Sequence, residues 1–273
     1  MPNWVTSKLK IEGPNSADIM KSLISFNDAK EVYFDFNKIT PMPDELNIVS
    51  GSLTDRSIEL YLTSINPDVK HIGIENSDYN LFNNQRELAN QGKKFGTYAD
   101  NLSQDEIEEF VRRNVNGDNL NELKDLLEYG RKAILNVEKF GAMDWYSWSI
   151  EHWGTKWNAC HNLYDIENSP SEIMFDTAWG NVAELIAKLS TMHPENEFHF
   201  EFAEEWIGNQ CGNLTFKNGE KISGDIFEDR SKEAYEQAFR LWGEDLSELY
   251  VFDEKKQTYV SKDEQESSNE EEM

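Results

Sequence analysis

The sequence is short of basic residues, cysteines and long apolar stretches. Each shortage excludes something. Lysine and arginine total 26 against 52 aspartates and glutamates, giving a formal charge of −26. Residues 253–273 hold eight acids and three bases, so about −21 remains on the rest of the chain. Such a field repels phosphate backbones and anionic lipid. Direct nucleic-acid binding is therefore not expected, and a protein partner with a basic surface is. The same composition also suits a surface that is merely solubilising.

No apolar run approaches the ~20 residues that a membrane-spanning helix needs. The opening "MPNWVTSKLKIEG" lacks the basic and apolar regions of a secretion signal. A cytoplasmic protein with no membrane association is expected. The two cysteines, Cys160 and Cys211, are expected as free thiols in a reducing compartment. Neither C-x-x-C nor H-x-x-x-H spacing occurs among Cys160, His161, His193, His199 and Cys211. No metal site and no cofactor are expected.

What is present is periodicity that changes along the chain. In "VTSKLKIEG", Val5, Ser7, Leu9 and Ile11 alternate with Thr6, Lys8, Lys10 and Glu12, which predicts a half-buried strand. "NSADIMKSLISF" predicts a helix with Ile19, Met20, Leu23 and Ile24 on one face. "EVYFDFNKI" predicts a second strand, closed by the prolines of "TPMPDEL". Over residues 44–143 the period becomes helical. "SQDEIEEFVRRNV" has Ser103 and Glu106 at capping-box spacing, and "NLNELKDLLEYGRKAILNVEKFG" carries Gly130 as an expected bend. The strand–helix–strand pattern then returns in "SEIMFDTAW", "NVAELIAKLSTMHP" and "NEFHFEFAEEW". Asn218-Gly219 in the following segment is a hairpin signal, and "SKEAYEQAFRLWG" predicts a closing helix.

Two strand–helix–strand halves in the same order predict an α+β protein. The expected architecture is a ferredoxin-like antiparallel sheet with helices on one face, a large helical insertion and a C-terminal hairpin plus helix. The first half falls at residues 1–43, the insertion at 44–143, and the Trp-rich segment with the second half, hairpin and helix at 144–257. An acidic disordered tail is expected at 258–273, because "SKDEQESSNEEEM" has no apolar face. Residues 1–40 and 165–205 are expected to contribute four strands to one sheet.

Four segments, "MPNWVTSKLKIEG", "FDFNKITPMPDEL", "WYSWSIEHWGTKWNA" and "FDTAW", resemble the YubB-like ferredoxin domain family. The likeness covers the opening strand–helix–strand and residues 143 to about 205. It implies the ferredoxin-like fold and a setting on plasmids, phages or genomic islands, an avian pathogenicity island among them. It implies no activity.

The stretch "WYSWSIEHWGTKWNACHNLYD" puts Trp145, Trp148, Trp153 and Trp157 within thirteen residues, with Lys156 among them. Two readings stand. In the first, the indoles form an aromatic lid on the core, each N–H finding a partner in this polar-rich segment. In the second they wall a cleft of Trp153, Lys156, Trp157, Asn158, Asp176, Thr177 and Trp179. Lys156 would make cation–π contacts or meet an anion, and His152 would lie close by. The "FDTAW" strand end preceding a helix start is a common ligand position. No nucleophile–base pair, phosphate loop or carboxylate dyad is recognisable, so catalysis is not expected.

Glu201, Glu204 and Glu205 of "EFAEEW" are the candidate acidic partner surface. The function expected is that of a non-catalytic accessory protein of a mobile genetic element. It would bind a host or rival protein through that surface, with carboxylates mimicking nucleic-acid phosphates as the sharper form. The alternative is a small-ligand binder or enzyme using the Trp-rich cleft.

Overall fold

The computed structural model describes residues 2–51, 53–54, 57–58, 61 and 120–262. The expected capping box at Ser103 lies outside these residues. The chain divides into two compact units, Met1–Pro41 with Ser149–Met273, and Met42–Trp148.

The first unit is built on a six-stranded antiparallel sheet. Its strands are β1 (Trp4–Glu12), β4 (Cys160–Leu163), β5 (Glu172–Ala178), β6 (Glu197–Glu204), β7 (Gly212–Lys217) and β8 (Glu220–Ile226), in the order β4-β5-β1-β6-β7-β8. β1 is central and pairs with both β5 and β6. Its alternation is kept: Val5, Ser7, Leu9 and Ile11 are buried, while Lys8 and Lys10 are not. Asn218 (φ 50) and Gly219 (φ 84) make the left-handed two-residue turn that joins β7 to β8.

The second strand of the first half does not enter this sheet. Val32–Phe34 (β3) pairs only with Ile24–Phe26 (β2) in a separate two-stranded ribbon. Asp35 then caps a 3₁₀ turn at Phe36–Lys38 by accepting the Asn37 N–H. The N–H groups of Phe34 and Phe36 donate to the side chains of Asn162 and Asn158. The donors that would extend a sheet ladder are thus used by asparagines, and β4 takes the edge beside β5.

Helix α1 (Ser16–Ser22) packs on β1, and a helix at Ala183–Met192 packs on β6 and β7. The latter buries Leu185, Ile186 and Leu189. The ring of His193 lies 6.4 Å from that of Phe198, which places this helix on the Phe198, Phe200 and Phe202 face. Phe34, Phe36 and Phe175 join the same core, with ring centroids 5.1–6.0 Å apart.

The closing helix, Lys232–Trp242, takes the opposite face. Gln237 and Arg240 bond Glu201, and Trp242 Nε1 donates to the Ala203 carbonyl at 3.1 Å. Ala203, Cys211, Ala234, Ala238 and Leu241 form the cluster beneath it. Helices on one face therefore describes only the two helices of the repeated halves. Small residues on the second face leave room for one more amphipathic helix.

The expected tail begins too early at 258. Thr258–Ser261 (β10) pairs with Tyr250–Asp253 (β9). Tyr259 lies 5.7 Å from Tyr235 and 5.3 Å from both Phe239 and Phe252. One aromatic side chain supplies the packing that the charge pattern conceals. Residues 263–273 lie outside the described residues.

In the second unit, Leu120–Phe140 is one uninterrupted helix, so Gly130 is not a bend. A Cβ there would lie 2.1 Å from the Ser57 carbonyl oxygen. The glycine permits close backbone approach instead.

Candidate functional site

The site lies at the end of the sheet where β1 begins and β5 ends. Trp4 opposes Ala178 and Thr6 opposes Asp176 across the β1–β5 ladder. Side chains at alternate positions share a face. Trp4, Thr6 and Asp176 therefore stand together on the face opposite the phenylalanine core. β4 brings Cys160 opposite Asp176, and a register break after it turns the chain.

That break carries His161 at φ 46, a left-handed conformation. It directs the imidazole back so that Nδ1 lies 2.8 Å from Asp176 Oδ2. Thr6 donates its hydroxyl to the other oxygen, Oδ1, at 2.7 Å. An ionised carboxylate only accepts, so Nδ1 carries the hydrogen, and in the neutral form of the ring Nε2 is left as an acceptor. The His161 side chain is 63% exposed and that of Asp176 only 16%. The base is at the surface and its anchor is set deeper. The Trp4 ring holds the imidazole edge-on at 4.9 Å and lies 6.1 Å from Trp157.

Lys156 bridges the next two rings. Its ammonium sits 4.5 Å from the Trp157 centroid and 5.0 Å from that of Trp179, within cation–π range of both. Trp179 is 43% exposed and also left-handed, at φ 71, where a bulky side chain is strained. Its N–H donates to the Asn3 carbonyl at 2.8 Å, which holds that conformation. Trp206, 67% exposed, follows Glu205, whose N–H donates to the Trp4 carbonyl at the same end of the sheet.

Some of the residues expected at a cleft are brought near one another. Lys156, Trp157, Asp176 and Trp179 come together, joined by Trp4, Thr6 and His161. Trp153 does not belong: it is buried, donates Nε1–H to the Thr40 carbonyl at 2.9 Å and packs 5.9 Å from Phe36. Asn158 is a structural pin, its amide nitrogen on Asp35 at 2.9 Å and its oxygen taken by the N–H groups of Phe36 and Ala159. Thr177 is buried, and its hydroxyl donates to the Gly180 carbonyl at 2.8 Å, fastening the turn after β5. His152 ends the helix Trp145–Trp153, and His161 holds the histidine position in the cluster.

His161 was legible only as one half of an adjacent Cys-His pair without metal spacing. Its signal was Asp176 on an outward strand position facing Thr6. Among the described residues no group of three or more His, Cys, Asp or Glu is placed to hold a metal ion.

Burial, then the nearby Asp176 charge, pushes the Cys160 thiol above its ordinary range, so it is no ready nucleophile. Burial pushes Cys211 up to about 12. Asp35 moves the other way. Its burial acts upward, but hydrogen bonds from Asn158, Ser25 and Asn37 outweigh it and hold the carboxyl below its ordinary value.

The three glutamates separate. Glu204 is buried and accepts from Asn3 Nδ2 at 2.8 Å and Gln210 Nε2 at 3.2 Å. Glu201 lies beneath the closing helix, bonded to Gln237 and Arg240. Glu205 is exposed. They do not form one continuous acidic surface, because alternation and the closing helix turn two of them inward.

Among the described residues no helix is long and apolar enough to cross a membrane. None of the curated proteins matches the chain in sequence. A solved structure, of the protein Api92 from Yersinia pseudotuberculosis, is similar over 84% of this chain and 99% of that one, at 12% identity and a TM-score of 0.37. Residues 152–262, which hold β4 to β10 and the closing helix, match the family model described as the ferredoxin-like domain in Api92-like protein.

Proposed function

We propose that the protein is a ligand-recognition module whose binding face is the cluster of Trp4, Lys156, Trp157, His161, Asp176 and Trp179. The observation that carries this is backbone strain shared by two of its members. His161 and Trp179 are both left-handed, and each presents a substantially exposed ring. Strain of this kind costs on the order of 1–3 kcal/mol per residue and collects at functional sites. A mere lid on the core would bury the Trp179 ring, as Trp153 is buried. Binding without catalysis is the reading supported, since neither the Cys160 thiol nor a hydroxyl activated by His161 supplies a nucleophile. A library of small soluble fragments, screened by saturation-transfer NMR against wild type and Trp179→Ala, tests it. Hits that depend on Trp179 are expected. A hit set indifferent to the substitution removes the proposal.

The second reading rests on charge. In it the protein is an accessory of a mobile genetic element that acts on a host or rival protein with a basic surface. The net charge of −26 supports such association in general. Glu205 is the one of the three candidate glutamates left open to a partner. Capture from lysate should then weaken steeply with salt. Capture unchanged by salt would remove this reading.

A further inference from the structure

We infer that the ligand of the strand-end cluster is a neutral saccharide, an inference that rests on the ligand-recognition reading above. Three features of the site select by charge. The ammonium of Lys156 lies on the faces of Trp157 and Trp179, so a cationic ligand entering between these rings meets a like charge already in place. An anionic ligand meets the field of a chain carrying −26, with Glu205 exposed at the same end of the sheet. A neutral ligand meets neither obstacle.

Two further features select by shape and hydrogen bonding. Trp179 is 43% exposed and its left-handed backbone is tied by the Trp179 N–H to the Asn3 carbonyl at 2.8 Å. A fixed, half-open indole is a platform for one flat face. Its π cloud is negative, so it attracts the slightly positive C–H bonds of a pyranose ring and gives them apolar contact. With the imidazole neutral, His161 Nε2 is an acceptor, because the Asp176 carboxylate at 2.8 Å holds the hydrogen on Nδ1 and Thr6 holds Asp176 at 2.7 Å.

A sugar offers an apolar C–H face on one side and a rim of hydroxyls that both donate and accept. It matches this set. An aromatic hydrocarbon would satisfy the indole but leave His161 Nε2 without a donor, and so would an aliphatic one. Trp157 and Trp4, both half-buried, lie beside this platform with their rings 6.1 Å apart.

The test is saturation-transfer NMR on the full chain with three neutral trisaccharides: maltotriose, cellotriose and N,N′,N″-triacetylchitotriose. Adenosine monophosphate and tetralysine serve as the anionic and cationic probes. At least one trisaccharide is expected to receive saturation, strongest at C–H protons of one ring face. The same ligand should shift the indole N–H resonances of wild-type protein, a readout that needs no variant. Trp179→Ala should abolish the transfer. His161→Ala should weaken affinity by about tenfold, the loss of one hydrogen bond. Transfer to adenosine monophosphate or tetralysine alone, lost in Trp179→Ala, would overturn the saccharide inference and leave the recognition site standing. Silence from all five probes, or saccharide transfer that survives both substitutions, would overturn the inference as well. In the second case the recognition face itself is displaced.

Discussion

Asn158 donates its side-chain amide to Asp35 Oδ1 at 2.9 Å, while its own oxygen accepts the Phe36 N–H at the same distance. One side chain 122 residues away in sequence thus fastens the turn that ends β3. It also keeps a largely buried carboxylate satisfied.

Replacing Asn158 with alanine leaves Asp35 short of a donor and two backbone N–H groups short of an acceptor. A loss of about 2–3 kcal/mol is expected in chemical denaturation. A loss below about 0.5 kcal/mol, the range of an indifferent surface change, would show that the turn holds without it.

Asp35 also sets a pH dependence. Its folded pKa lies below the ordinary value of 3.8, despite an opposing contribution from burial, because of its three hydrogen-bonding neighbours. Near and below that value the unfolded chain binds more protons than the folded one, so stability falls as pH falls. The contribution is complete above the unfolded pKa and is lost as pH drops through the folded one. Asp35→Asn should flatten the denaturation midpoint between about pH 5 and about pH 2, relative to wild type. Parallel curves for the two proteins would contradict this.

The tryptophans of the run should differ sharply. Trp153→Ala removes a buried ring and leaves the Thr40 carbonyl without its donor, at a cost of about 3–5 kcal/mol. Trp179→Ala removes a half-open ring and relieves nothing in the core, so about 1 kcal/mol or less is expected. Equal losses in a denaturant titration would mean that Trp179 is as structural as Trp153.

Gly130→Ala would gain about 1 kcal/mol in an isolated helix. Here the new Cβ meets the Ser57 carbonyl oxygen at 2.1 Å, a backbone atom that cannot swing aside. Net destabilisation by more than about 2 kcal/mol is expected. A stabilised variant would show that the two segments separate at no cost.

Truncation separates the hairpin from the residues after it. Deleting residues 258–273 removes Tyr259 from Tyr235, Phe239 and Phe252. The melting temperature should fall by several degrees, about 2–4 °C for each kcal/mol lost. An unchanged melting curve would mean that β10 contributes nothing to the fold.

Periodicity alone sufficed for β1, β5, β6, the helix at Ala183–Met192, the turn at Asn218-Gly219 and the closing helix. Each is a local pattern of alternation, helical stripe or turn chemistry, and each was legible because backbone geometry imposes it residue by residue. β3 was misread because "EVYFDF" alternates like a sheet strand. Asn158 and Asn162 take its N–H donors, and no local pattern records a partner more than 120 residues away.

Within the candidate site, the residue types are legible along the chain. Clustered indoles, one lysine and an aspartate on an outward strand position were all visible in it. Which of them meet depends on the packing of strands distant in sequence. Trp153 is buried in the core and Trp157 only half-buried, the helix having ended at Trp153. His161 reaches Asp176 only because β4 breaks register beside β5. The site is a meeting of strand ends that are distant in sequence. Spacing along the chain encodes the direction each side chain takes from its own strand, whereas the strand beside it is chosen by burial of the shared core.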